Sequence, residues 1–120
     1  LRPDFALMLG IEYLEPAMAL GGRGSLSAFG GVAPNLVTGL YNAIVEGRTE
    51  DVQARQEKCS HLWQLFKVGY PAPIKAAMAM MGRPVGPTRL PIRPLDVAAC
   101  ELLRGELAPI GIFDTEPHGW

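Results

Sequence analysis

Lysine is scarce in this chain of 120 residues, with only Lys58, Lys67 and Lys75, and there are just two cysteines and two histidines. Cys59 and Cys100 sit inside helical patterns with no partner at metal-ligand spacing, and His61 and His118 stand far apart, so no metal set is expected and the thiols read as structural. Eleven basic and twelve acidic residues give a net charge of -1 and are scattered along the chain, which leaves no basic stripe for nucleic acid or an anionic membrane. Both partners are excluded. No apolar run reaches the length of a membrane span, and Leu1-Arg2-Pro3-Asp4 lacks the basic and apolar regions of a signal peptide. The expectation is a soluble, cytoplasmic protein. Leu1 is not an initiator methionine and a strand-like run begins at Phe5, so the chain reads as missing its beginning.

What is present is enough for one small core: 48% of the residues are hydrophobic and 19% charged. FALML, residues 5 to 9, is a continuous apolar run of the kind buried on both faces of a parallel sheet. YLEPAMAL, 13 to 20, predicts a short helix closed by Gly21 and Gly22, and SLSAF, 25 to 29, a second strand. Pro34 opens a helix carrying Leu36, Val37, Leu40, Tyr41, Ile44 and Val45, which Gly47 stops. Thr49 reads as the N-cap of the next helix, whose stripe of Val52, Cys59, Leu62, Trp63 and Phe66 ends at Gly69. So short a link makes the two antiparallel. Ile74 to Met81 predicts a third helix, RPVGPTRLPIRPLD a stiff irregular path, Asp96 the cap of a last helix through Leu103, and DTEPHGW a loose tail. The order is that of the closing part of an α/β protein, because two parallel strands cannot bury their own flanks.

GGRGSLSAFGGVAP, 21 to 34, has the glycine content of a phosphate cradle but not its order. No Gly-Lys-Ser/Thr follows, Ser27 stands where a dinucleotide fingerprint needs its third glycine, and the glycines precede a strand instead of following one. They read as a helix-to-strand turn needing positive φ. Lys75, in PAPIKAAM, is the one lysine in an apolar setting and reads as a buried stem with a satisfied ammonium. Glu12 and Glu15 suit either of two roles, facing a site at the strands' carboxyl ends or forming the acidic first turn of a helix. His61 reads as a partly exposed helical residue. No nucleophile, base and orienter come together.

LMLGIEYLEPAMALGGRGSLSAFGGVAP, LYNAIVEGRTEDVQ, YPAPIKAAM and TRLPIRPL, in that order, resemble the C-terminal portion of the dihydrodipicolinate synthase / N-acetylneuraminate lyase family from Phe5 to about Ile112. The resemblance implies a C-terminal fragment of a (β/α)8 TIM barrel: the last two strand-helix units over residues 1 to 48, a C-terminal helical region over 49 to 113, and the tail from 114 to 120. It implies a lyase or aldolase chemistry in which pyruvate or a related 2-keto acid forms a Schiff base on a lysine and is joined to, or released from, an aldehyde. No metal or other cofactor is implied, and the family is usually homotetrameric.

By this resemblance Gly10 matches the glycine after the seventh strand that lines the pyruvate site, and Leu26 the eighth-strand residue whose backbone carbonyl faces the keto acid. The family's Schiff-base lysine, proton-relay tyrosine and paired threonines all match positions before residue 1, so the chain alone is expected to be inactive. Lys75 matches a C-terminal segment, not the catalytic position. Ile11-Glu12 replaces the usual acidic pair, and Gly31 stands where asparagine is common. The alternative is a non-catalytic helical scaffold or interaction module derived from the same family.

Overall fold

In a computed structural model, residues 2, 4 to 10 and 13 to 120 are described. Strand β1, Met8–Gly10, is followed by helix α1, Leu14–Ala19, and strand β2, Gly24–Leu26, which pairs with β1 in parallel. Five helices follow: α2 Pro34–Val45, α3 Thr49–Phe66, α4 Ala72–Met80, α5 Val97–Leu107 and α6 Ile112–Thr115. The described chain is thus mixed α/β and mostly helical, with a two-stranded parallel sheet.

Between α1 and β2 the glycines perform the predicted turn. Gly21 has φ +89°, and its N–H donates to Met18 O at 3.0 Å while that of Gly22 donates to Ala17 O at 2.9 Å, the paired bonds of a Schellman ending. A methyl group on Gly22 would lie 2.7 Å from the Ala17 carbonyl oxygen, so the turn closes only around a bare backbone. Arg23 N–H then donates to Leu7 O at 2.8 Å and starts the pairing of β2 with β1.

Both strands are shorter than their apolar runs. Strand pairing on β1 starts at Met8 instead of Phe5, and Phe5 and Met8 are exposed where burial on both faces was expected, because β2 is the only strand beside β1 among the described residues. The second strand ends at Leu26 instead of Phe29; Ala28–Gly31 winds into a 3-10 turn that swings Phe29 out of the sheet direction and into the core, against Phe66. Alternating pattern alone could not distinguish a five-residue strand from three residues and a turn.

The core lies among the helices. Leu36, Leu40 and Ala43 of α2 meet Val52, Cys59, Leu62 and Phe66 of α3, and Ile74, Ala77, Met78, Leu103, Leu107, Ile110 and Ile112 complete it. Gly47, at φ +71°, folds α2 back on α3, so that Gly39 lies against Arg55. Thr49 lies inside α3 and makes no side-chain cap; Arg48 occupies the cap position and pairs with Asp51. Helix α4 starts at Ala72, two residues before Ile74, because proline is tolerated in a first turn. Asp96 does cap α5, accepting Ala99 N–H at 2.8 Å, and the helix runs through Gly105 to Leu107.

The tail is not loose at its start. Asp114 and Thr115 belong to α6, and Glu116 is buried with its carboxylate accepting the N–H groups of Asn35 at 2.7 Å and Leu36 at 2.8 Å. Three-dimensional proximity to α2, eighty positions away, decides this and no local pattern encodes it.

Candidate active site at the carboxyl ends of the strands

The parallel register pairs Met8 with Gly24, Leu9 with Ser25 and Gly10 with Leu26. The two residues singled out in the sequence as a substrate-binding pair are therefore neighbours on adjacent strands, at the end where parallel α/β sheets place their ligands. Gly10 is exposed, and a Cβ there would have no atom within 4 Å, so its backbone is open to anything approaching. Leu26 is 76% exposed and contributes a backbone more than a packed side chain.

Behind this end runs the turn from β2 to α2. Phe29, Val32 and Ala33 are fully buried and fix it to the core. The Arg83 guanidinium, which follows α4, reaches the same turn: Nη1 donates to Gly31 O at 2.6 Å and Nη2 to Val32 O at 2.9 Å. Ser27 Oγ is buried there with no hydrogen-bond partner among the described residues.

Other candidates lie elsewhere. Lys75 Nζ donates to the carbonyls of Val85, Gly86 and Pro87 at 3.3, 3.4 and 3.0 Å, which makes it the anchor of the proline-rich segment and satisfies its ammonium as expected. Glu15 sits in the first turn of α1, exposed, the second of its two readings; Glu12, with Ile11, lies outside the described residues. His61 is exposed on α3, Cys59 is in the core and Cys100 is half-buried. Among the described residues no group of three or more His, Cys, Asp and Glu side chains could hold a metal ion, and no helix is long and apolar enough to cross a membrane. At the amino-terminal end the Arg2 guanidinium holds the exposed Asp4 carboxyl below its usual range.

Among the described residues, clefts of about 430 and 560 Å³ lie against α4 and α5 and against α3, and two smaller ones lie beside α2. One of about 360 Å³ runs along β2 and is lined by Met8, Arg23, Ser25, Val37, Thr38 and Tyr41; a second of about 250 Å³ lies where Asp51, Arg55 and Lys58 of α3 approach Glu116. Neither includes Gly10 or Leu26. Asp51 is committed to Arg48 and Arg55, and Glu116 to α2, so the second cleft offers Lys58 but little free acid.

A family profile described as the dihydrodipicolinate synthetase family matches residues 1 to 107. The chain belongs to that family. Among its relatives is an uncharacterized DapA-like lyase of Halobacterium salinarum, 38% identical over 93% of this chain and 38% of its own length. A 4-hydroxy-tetrahydrodipicolinate synthase of Archaeoglobus fulgidus is 37% identical over 74% of this chain and 32% of its own. The crystal structure of dihydrodipicolinate synthase from Thermotoga maritima superposes with a TM-score of 0.82 at 30% identity, over 92% of this chain and 38% of that one. This dihydrodipicolinate synthetase family chain thus spans under two-fifths of the length of these relatives.

The family resemblance singles out Gly10 and Leu26 as candidates and does not single out Arg83 or Glu116. Arg83 carried one signal, a basic residue just beyond a glycine-stopped helix, where cations meet carbonyls. Glu116 carried none.

Proposed function

We propose that this chain forms the closing part of a pyruvate-type class I aldolase or lyase barrel, contributing Gly10 and Leu26 to the keto-acid site and the helices that support it. The pairing of Gly10 with Leu26 at the carboxyl end of the sheet carries the reading. Further support comes from what is left uncovered. Val37, Tyr41 and Val45 recur every fourth residue along α2 beside β2, with Tyr41 39% and Val45 61% exposed, as expected of a helix face awaiting another strand. In the complete barrel a lysine amine on the sixth strand would condense with the keto carbonyl, expelling water to give an iminium that accepts the electron pair of the adjacent carbon. A bare glycine backbone lets the keto acid approach, and the Leu26 carbonyl offers a fixed acceptor to it. We further propose a homo-oligomeric, tetrameric assembly and a cytoplasmic setting for the whole enzyme, with an aldehyde as second substrate.

Borohydride reduction in the presence of pyruvate tests this. The whole enzyme should gain one reduced pyruvate on a lysine outside these 120 residues, and the isolated chain should gain none. A stable adduct on Lys75 would refute the assignment.

One observation favours a second reading. Nothing in the core comes from β1 or β2, so the helical part packs without the sheet, as a scaffold module needs. Light scattering separates the two: a monodisperse monomer with full helicity supports the scaffold, and association through the uncovered strands supports the barrel.

A further inference from the structure

Among the described residues only two charged side chains are buried, Arg83 at 7% and Glu116 at 6% exposure. Neither is paired with the other or with any opposite charge: Arg83 bonds the Gly31 and Val32 carbonyls and the Met81 sulfur, and Glu116 the Asn35 and Leu36 N–H groups. Burying an ion is costly unless hydrogen bonds offset it; Glu116 and both terminal nitrogens of Arg83 are bonded, while Arg83 Nε is buried with no partner among the described residues. Apart from the Met81 sulfur, both sets of contacts fall within six residues, Gly31 to Leu36. A cation takes the carbonyl end of the 3-10 turn, and an anion takes the opening N–H groups of α2, each sign on the matching pole of the backbone. Asn35 adds a bond from Nδ2 to Thr115 O at 2.8 Å, tying the same junction to α6.

This junction needs holding. Phe29, Val32 and Ala33 anchor the turn to the core, but Gly30 and Gly31 between them add no side chain of their own to hold its path. Leu26, at the end of β2, lies five residues before Gly31 and is joined to it by Ser27 and the 3-10 turn. We infer that Arg83 and Glu116 are positioning residues, two oppositely charged clamps that fix the β2-to-α2 turn and thereby the direction of the Leu26 carbonyl at the keto-acid site. The inference rests on the functional reading above. Glu116 lies outside the span matched by the family profile, residues 1 to 107, so this half of the clamp goes beyond what that match covers.

The test uses the whole barrel enzyme, wild type against Arg83→Met, Arg83→Lys and Glu116→Gln. Loss of either clamp should raise the KM for pyruvate on the order of tenfold and shift the pyruvate dependence of borohydride trapping alike, with kcat within about threefold, since positioning errors far smaller than a bond length are felt. Arg83→Lys, which keeps the cation but not the fork, should recover part of the loss. Amide exchange should quicken at Gly31 to Leu36 in both Met and Gln variants while the Phe66 and Leu62 amides stay slow. Should Arg83→Met fail to fold, Glu116→Gln decides alone. Folded variants with wild-type KM, including those whose kcat alone falls in proportion to the folded fraction, overturn the inference. A wild-type enzyme that never traps pyruvate overturns the keto-acid reading and the pocket role together, whereas unchanged exchange at Gly31 to Leu36 overturns the clamp alone.

Discussion

Gly22 and Gly39 each occupy a point where a methyl group has no room, and the two differ in what stands in the way. At Gly22 the obstacle is the Ala17 carbonyl, part of the backbone and already bonded to Gly22 N–H. At Gly39 it is the tip of the Arg55 side chain, which can swing aside. Gly22→Ala should therefore cost on the order of 2 kcal/mol through overpacking and a broken Schellman bond. Gly39→Ala should be neutral or gain up to about 1 kcal/mol, because alanine's helix propensity offsets the half-exposed Arg55–Asp51 pair, itself worth only about 0.5 kcal/mol. Urea midpoints of the two variants check the difference in sign. Phe66→Ala, which empties a fully buried position beside Phe29, should cost about 3 to 5 kcal/mol, a large share of the roughly 5 to 15 kcal/mol that holds an ordinary domain folded.

Elements behave according to what caps and anchors them. Asp96→Ala removes the one side-chain N-cap bond found among the described helices, to Ala99 N–H, and should destabilise α5 by about 1 kcal/mol, visible as an earlier loss of helical circular dichroism. Lys75→Met leaves α4 intact and frees the carbonyls of Val85, Gly86 and Pro87; limited proteolysis should then cut the 83 to 96 segment faster, with the melting temperature little changed. Helix identity was legible in the sequence because the periods of α2 and α3 are long and bounded by Gly47 and Gly69. Strand length was not. Pattern cannot tell where pairing stops, since Phe29 is as apolar as a strand residue and is buried by a turn instead. The candidate site divides the same way: Gly10 and Leu26 are candidates through the family resemblance of their segments, whereas Arg83 and Glu116 act on residues 51 to 81 positions away, and no local signal spans such a distance.

For the whole molecule, the radius of gyration is 15.2 Å, above the roughly 14 Å expected of a compact chain of this length. The excess fits a helical core with a small sheet standing to one side. Met8 and Leu26 on that sheet and Phe5 just before it are exposed, and its parallel strands have free edges among the described residues. The isolated chain should accordingly associate as concentration rises, which sedimentation velocity will detect as a growing mean sedimentation coefficient. On the proposed reading, which assigns the reactive amine to another strand, addition of pyruvate should leave that profile unchanged.

Glu116 carries a warning for anyone shortening this polypeptide. Trimming after Thr115 leaves the buried Ile110 and Ile112 in place and removes, besides exposed side chains, the Gly119 N–H bond to Met81 O at 2.9 Å. It also strips the anion from the start of α2, leaving two inward-facing amides bare, so such a shortened version should melt several degrees lower than its small loss of surface predicts.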